Sequence, residues 1–471
     1  GGTIEANTSG VVGTYSYTLA NVTGQAAQGT TLTGSAVPTG AYAGSVTGTQ
    51  AILKTIDNAV SRYGADITLG GGVATPSYLE QILHYDEHYI TASYWKTIDQ
   101  LVSSGFVSAT EGNEFASKFF VTFIGDAGTN KYLQYAVNTG KWNLKGNSVL
   151  AMNIQAHGAN SAGWTANITF ENKGSITGLY ESVNGISPQR HIAFMFTEGA
   201  NLYRYQVVDN SGLVEMRAPE SVAYSLYNVS TGLNGKFILM NNNEVKLYGK
   251  NNVGIYTRGQ VGGSVANAQI KLFTPITVLG DESIGVDIER TLNFADSKIK
   301  VDVGTEDPRQ AEVSAIGVGG LENSGNVIGG DSRYTDSSAG IYINMTGNTE
   351  TISKYIYNAL DPSQNISTST SGINNDQFTL NDYLLNVGSY SRGGAGLSVE
   401  EYGDVVLGTS TDAATTHEIN LLAGGENNAG IYISGANTQV TTDGLVMNID
   451  GKDQVGTQIE NDGKFYHNNG I

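Results

Sequence analysis

A short pattern built around glycine constrains this chain more than any other feature of it. It reads Val253-Gly254-Ile255-Tyr256-Thr257, Ile284-Gly285-Val286-Asp287-Ile288, Ala339-Gly340-Ile341-Tyr342-Ile343, Ala395-Gly396-Leu397-Ser398-Val399 and Ala429-Gly430-Ile431-Tyr432-Ile433. Weaker copies stand at Ile316-Gly317-Val318 and Val455-Gly456-Thr457-Gln458-Ile459. Counted from the glycine, positions −1, +1 and +3 are nearly always apolar and +2 is Tyr, Asp, Ser or Gln. A period of two is the signature of a β-strand. On that reading the apolar residues face a core, while the glycine and the residue at +2 face outward together. One such strand per repeat points to stacked coils, a parallel β-solenoid, rather than to a sandwich.

Other short alternating runs lie between the markers: Val245-Lys246-Leu247, Ile270-Lys271-Leu272, Ile299-Lys300-Val301-Asp302-Val303 and Val446-Met447-Asn448-Ile449. All but Ile270-Lys271-Leu272 are followed within a few residues by Gly, Asn or Asp, as the corner of a coil requires. The longest gap, from Gly340 to Gly396, is two coils or one coil with an insertion, and the Ser/Thr/Asn-rich run Thr351–Asn386 around Pro362 is the predicted insertion. Val12-Gly13-Thr14-Tyr15 and Thr177-Gly178-Leu179-Tyr180 are fainter copies that extend the same architecture upstream.

One stretch reads differently. Ile52, Ile56, Ala59 and Val60 fall at helical spacing before Gly64, Thr75-Pro76 opens a second helix, Ile90 to Val102 continues an apolar face to Gly105, and Ser108-Ala109-Thr110-Glu111 is a capping box. The sequence therefore predicts a mainly β fold: solenoid coils over 1–47, a small α-helical insertion over 48–125, and a β-solenoid rod over 126–471 with its own insertion near 351–386.

Composition supports a β-rich, turn-rich chain, with 61 Gly and 7 Pro in 471 residues. A formal charge of −19, from 25 Lys and Arg against 44 Asp and Glu, excludes nucleic acid as a partner. The absence of cysteine removes disulfides and thiolate metal sites. No apolar run reaches the roughly 18 residues of a membrane-spanning helix. The first residues carry no charged-then-apolar signal segment, and the closing His467-Asn468-Asn469-Gly470-Ile471 reads as the start of another repeat, so the sequence is expected to be part of something longer.

Candidate chemistry is sparse. His84-Tyr85-Asp86-Glu87-His88 matches the H-x-x-E-H spacing of inverted zinc peptidases, but the chain downstream offers no helix to supply a third ligand, and a surface helix with two solvated histidines explains it better. His157, His191, His417 and His467 are scattered singly. Asp281, Asp287, Asp302 and Asp307 are the carboxylates that a polysaccharide-cleaving β-helix would gather in one groove. Asp331 and Asp336 sit in an acidic turn without a known calcium spacing. No catalytic residue, cofactor or obligatory metal is predicted. The 26 tyrosines favour recognition, and the densest aromatic group lies in the predicted helical insertion, so Tyr85, Asp86, Glu87, His88, Tyr89 and Trp95 are the candidate binding residues. Tyr256, Tyr342 and Tyr432 are expected to form a column on the outer wall.

Written out as Asn251-Asn252-Val253-Gly254-Ile255-Tyr256 and Asn427-Asn428-Ala429-Gly430-Ile431-Tyr432, with Asn172-Lys173-Gly174-Ser175-Ile176-Thr177-Gly178 as a second element, the chain resembles the passenger domains of the giant fusobacterial type V (monomeric, type Va) autotransporter adhesins. The resemblance is carried by residues from Gly178 onward. It implies an extracellular rod on the bacterial surface, secreted through a C-terminal outer-membrane β-barrel of the parent chain that is absent here. It also implies non-catalytic binding of a host-cell surface protein or glycan, or of a partner bacterium. A self-associating structural rod and a polysaccharide-cleaving enzyme are the alternatives.

Overall fold

The computed structural model describes strand backbone within residues 3–138 and, with side chains, much of 141–470; residues 157–166, 181–187, 199–204, 228–235, 259–265, 309–333, 345–376 and 409–414 are among those it leaves out. The described part is mainly β, with parallel sheets that wind as a solenoid.

Each coil contributes a strand to three walls in turn. In one coil Lys236–Asn241 lies in the first wall, Glu244–Leu247 in the second and Val253–Arg258 in the third. The next coil repeats the order with Ala266–Leu272, Ile276–Val278 and Ile284–Glu289, each pairing in parallel with its predecessor. In Leu292–Val303, Gln377–Val387 and Gln439–Ile449 one continuous strand serves both the first and the second wall. The third wall is a ten-stranded sheet running from Phe119–Gly125 to Val455–Glu460.

Inward positions alternate along each strand, as the period predicts. Ile299, Val301 and Val303 are buried, as are Leu385, Val387, Ile419 and Leu421 in the ranks that follow. Each such aliphatic side chain contributes roughly 1.5–3 kcal/mol. Aromatic rings also meet between coils, Phe194 stacked on Tyr224 at 5.0 Å and Phe294 tilted against Phe378 at 5.1 Å.

The marker glycine proves to have a different role from the one predicted. In the third wall Gly254, Gly285, Gly340, Gly396, Gly430 and Gly456 occupy equivalent positions in consecutive coils. A Cβ on Gly254 would lie 2.5 Å from Gly285 O and 2.9 Å from Ile276 Cγ2, a core side chain of the second wall. On Gly285 it would meet Gly340 O at 2.6 Å and collide with Val301. The glycine thus does not share the outward side with the residue at +2. It stands where two walls converge, and each coil leaves room for the next coil's carbonyl. Upstream the same position is filled by Ala151, Ala193 and Ala223, which are buried and which a search for glycine passes over.

Three residues ahead of the marker the chain turns through the left-handed region: Arg190, Glu220, Asn251, Glu282, Ser337, Asn427 and Asp453 have φ of 51–60° and Gly393 has 62°. Asn and Gly adopt this conformation more readily than other residues, which explains the first Asn of the Asn-Asn pairs. The amide of this residue donates to the next coil, Glu220 to Lys250 O at 2.8 Å and Asn251 to Asp281 O at 2.9 Å. The residue after it is buried and polar, and its oxygen accepts a backbone amide from the preceding coil: Ser221 N to Asn252 Oδ1 at 2.8 Å, Asn252 N to Ser283 Oγ at 2.9 Å, Ser283 N to Ser338 Oγ at 3.0 Å. It also donates back, Asn252 Nδ2 to Met216 O at 2.9 Å and Ser283 Oγ to Gly249 O at 3.0 Å. The corner therefore satisfies its own buried backbone groups without water.

Several expectations are corrected. Gly340 stacks directly on Gly285 and Gly396 directly on Gly340, so each interval is one coil; Gly317 lies outside the described residues. Gln377–Val387 is a ladder strand, so the predicted insertion reaching Asn386 overlaps the rod by ten residues. Gly178 belongs to the second wall and is no marker; a Cβ there would sit 2.9 Å from Nδ1 of buried His191. Residues 1–47 contribute Thr3–Ala6 and Tyr15–Thr18, which pair antiparallel and not as solenoid coils. Within 48–125 the described segments are strands rather than helices: Leu53–Asp57, Val60–Tyr63, Ile67–Leu69, Leu79–Asp86, Tyr89–Lys96 and Phe119–Gly125; the helix predicted from the capping box Ser108–Glu111 lies outside the described residues. Val60–Tyr63 pairs with Leu133–Asn138, and Ile67–Leu69 with Lys141–Leu144, so this stretch builds the start of the walls. Tyr89-Ile90-Thr91-Ala92-Ser93-Tyr94-Trp95-Lys96 is dense in β-branched and aromatic residues, and that preference prevails over the helical spacing of its apolar positions.

Candidate binding surface

Leu79–Asp86 and Tyr89–Lys96 form an antiparallel hairpin in a sheet of their own, with Tyr85 opposite Ile90, Asp86 opposite Tyr89 and Trp95 opposite Gln81. Four of the predicted binding residues, Tyr85, Asp86, Tyr89 and Trp95, are thus placed on a hairpin, while Glu87 and His88 lie outside the described residues. A strand at His84 does not give the helical i, i+4 geometry that the zinc motif needs.

The carboxylates singled out in the sequence do not converge. Asp281 is at the corner between the second and third walls, where its Oδ1 accepts the Asp336 amide at 2.8 Å. Asp287 lies on the third wall in register with Tyr256 and Tyr342. Asp302 lies on the second wall, and Asp307 follows that strand. Burial raises the Asp281 and Asp302 carboxyls above the usual carboxylate range, against hydrogen bonds that lower them. Asp331 lies outside the described residues, and Asp336 is held by Arg392 in a two-pronged pair at 2.7 and 2.6 Å. Arg392 also lies over the Tyr334 ring at 5.1 Å, and Tyr334 donates to Glu426 Oε1 at 2.6 Å. This cluster ties neighbouring coils together at the corner. Among the described residues no group of His, Asp and Glu could hold a metal ion.

The second wall carries an ordered row of amides on its outside. Asn448 Nδ2 donates to Asn420 Oδ1 at 2.7 Å, Asn420 to Asn386 at 2.9 Å and Asn386 to Asp302 Oδ1 at 2.7 Å, with one rank contributed by each coil. Stacking of equivalent amides at the strand spacing fixes the parallel register from outside the core.

The third wall carries a second outward row. Its central outward row runs Ser225, Tyr256, Asp287, Tyr342, Ser398, Tyr432 and Gln458. The three tyrosines predicted to form a column do share this row, with Asp287 and Ser398 between them. Beside it, at +4 from the marker, stand Asn344, Glu400, Ser434 and Glu460. Tyr342 donates to Glu400 Oε2 at 3.1 Å and Tyr432 to Glu460 Oε2 at 3.0 Å, each reaching into the next coil. Burial and the neighbouring carboxylates raise both phenols, so they remain neutral donors at physiological pH. The +4 carboxylates were missed in the sequence because the repeat motif ends at +3; extending the alignment by one residue finds them. Compared with known proteins, the chain matches no family model, no curated protein and no solved structure.

Proposed function

We propose that this chain is part of a non-catalytic, surface-displayed binding rod of the adhesin-passenger type, engaging a host-cell surface protein or glycan, or another bacterium. The observation that carries the reading is the division of labour within each repeat. The inward and corner positions are dictated by the coil, while the outward residues on the same strands change from one coil to the next, as in scaffolds that vary recognition on a fixed frame. The resemblance of the Asn-Asn-x-Gly-Ile-Tyr repeats to fusobacterial autotransporter passengers supports the extracellular setting.

The test is adhesion of the purified chain to host epithelial cells and to partner bacteria, beside a variant in which the Leu79–Lys96 hairpin is replaced by a short Gly-Ser linker. The hairpin forms its own sheet but lies against Phe119–Gly125, so circular dichroism first checks that the shortened chain keeps its fold. Binding by the intact chain alone locates recognition in the hairpin. Equal binding by both locates it on the walls, and binding by neither overturns the reading.

A further inference from the structure

The corner between the first and second walls is irregular at one coil. Lys271 pairs with Lys298 and Ile276 with Val301, so four residues lie between the partners in the earlier coil where two lie in the later one. The surplus bends outward at Phe273-Thr274. Leu272 is buried in the core, and Phe273, next in the alternation, is 47 % exposed. The other large apolar side chains left exposed among the described residues lie at 422 and beyond, toward the last coil, so Phe273 stands apart from them.

Lysines surround this ring. Lys271 stands two residues before Phe273, and Lys298 lies about 4.8 Å from Lys271 across the strand pair. Lys300 follows on the same face and reaches the Phe273 carbonyl at 3.5 Å. All three lysines are half-buried, and they differ in what they hold. Lys298 is paired with Asp382 at 3.2 Å. Lys271 has no carboxylate partner among the described residues, and Lys300 uses one of its three donors in that long contact. Asp302, two residues past Lys300, accepts the Asn386 amide at 2.7 Å. Within residues 236–300 eight Lys and Arg stand against six Asp and Glu, a formal net of +2 in a chain of −19.

The neighbouring carboxylates limit the ligand. Asp302 and Asp382 bound the patch on the later coils, and Glu244, which precedes the Val245 paired with Ile276, bounds it on the earlier one. A polyanion laid along the rod would run onto these acids, whereas a single carboxylate seated between Lys271 and Lys300 would not. A phenyl ring between two ammonium groups matches a sugar that carries one acid group, the apolar face of the sugar on the ring and the acid on the lysines.

We propose that the corner at Lys271, Phe273 and Lys300 binds an acidic sugar, its carboxylate held by the two ammonium groups and its ring laid on Phe273. The proposal deepens the binding-rod reading by naming a class of glycan and the place that takes it, and its test needs no cell.

Isothermal titration of the full chain with sialyllactose, a glucuronate disaccharide, lactose and a heparin octasaccharide reads this corner directly. At least one of the two single-acid sugars binds, and lactose binds at least tenfold more weakly. K271Q/K300Q weakens the acidic sugar about tenfold, and F273A weakens it about threefold. K452Q/K464Q removes the same charge from exposed positions of the last coils and changes the affinity less than about twofold. Far-UV circular dichroism and melting temperatures check that every variant is folded. Failure of both acidic sugars to bind overturns the proposal, as does lactose binding equally well or F273A binding as the parent does. Preference for the heparin octasaccharide with equal losses in the two lysine pairs makes the attraction diffuse and overturns it too. Sugar binding without cell adhesion sinks the adhesin reading alone, and cell adhesion without sugar binding sinks this proposal alone.

Discussion

The corner that opens each third-wall strand and the outward face that the same strand presents a few residues later answer to different constraints. At the corner, most positions are committed to the coils before and after them: a left-handed turn at −3, a buried side-chain oxygen at −2 that takes a neighbour's amide in the coils of Ser221, Asn252, Ser283, Ser338 and Asn428, and a residue with little or no Cβ at the marker. On the face, +2 is Tyr, Asp, Ser or Gln and +4 is Arg, Asn, Glu or Ser, with no bond that recurs in every coil. The difference teaches that a solenoid repeat keeps its chemistry only where coils must interlock, and leaves the outward positions free to vary.

The sharpest break of this comparison is a methyl group at the corner. Gly285→Ala puts a Cβ 2.6 Å from Gly340 O and against Val301, where neither backbone nor core can yield cheaply, and costs about 3 kcal/mol. Gln458→Ala on the open face stays within about 0.5 kcal/mol. Urea denaturation of both variants measures the contrast. A Gly285→Ala variant as stable as the parent would mean that the glycine marker is not a steric requirement, and that the alanines at 193 and 223 are the general case. Removing a polar rung is the next largest effect. Asn252→Ala deletes the acceptor of the Ser221 amide and the donor to Met216 O, leaving buried backbone groups unpaired, for a loss of about 2 kcal/mol. Hydrogen exchange at Ser221 reads it locally, and unchanged protection there would show that another group takes over the amide.

The same contrast decides what could be read in advance. The parallel solenoid, its inward residues and the strand at each marker followed from the alternation around Gly254, Gly285, Gly340, Gly396 and Gly430, because interlocking leaves a periodic trace. The alanine coils at 151, 193 and 223 left none in a search keyed to glycine, although they obey the same rule of small size. The direction in which the glycine faces was misread because period two assigns sides only along a straight strand, and the marker sits where the chain leaves a corner. Helical spacing within Leu53–Asp57 and Tyr89–Lys96 misled for a related reason: apolar residues three and four apart also arise in strands whose two faces are both rich in aromatic and β-branched residues, as in Tyr89–Lys96. Glu400 and Glu460 were passed over because the repeat was read only to +3, and the pairing register then brings each beside a tyrosine from the previous coil.

The smallest effect tests whether an outward row can also serve the stack. Asp302 heads the ladder formed with Asn386, Asn420 and Asn448, and partial burial raises its carboxyl in the folded state above its unfolded value. A raised folded value means that the folded chain holds this proton more tightly than the unfolded one. The stability tied to it is therefore fully present below the unfolded carboxylate range, about pH 4, and is lost as pH rises through the folded value. Asp302→Asn removes that loss and keeps an oxygen to accept the Asn386 amide, so the variant gains on the order of 1 kcal/mol at pH 7 and little at pH 3. Melting temperatures at the two pH values give the comparison. A gain of equal size at both would assign the effect to the amide ladder itself, and a loss at pH 7 would show that the charge at the head of the row strengthens the amides behind it by more than its burial costs.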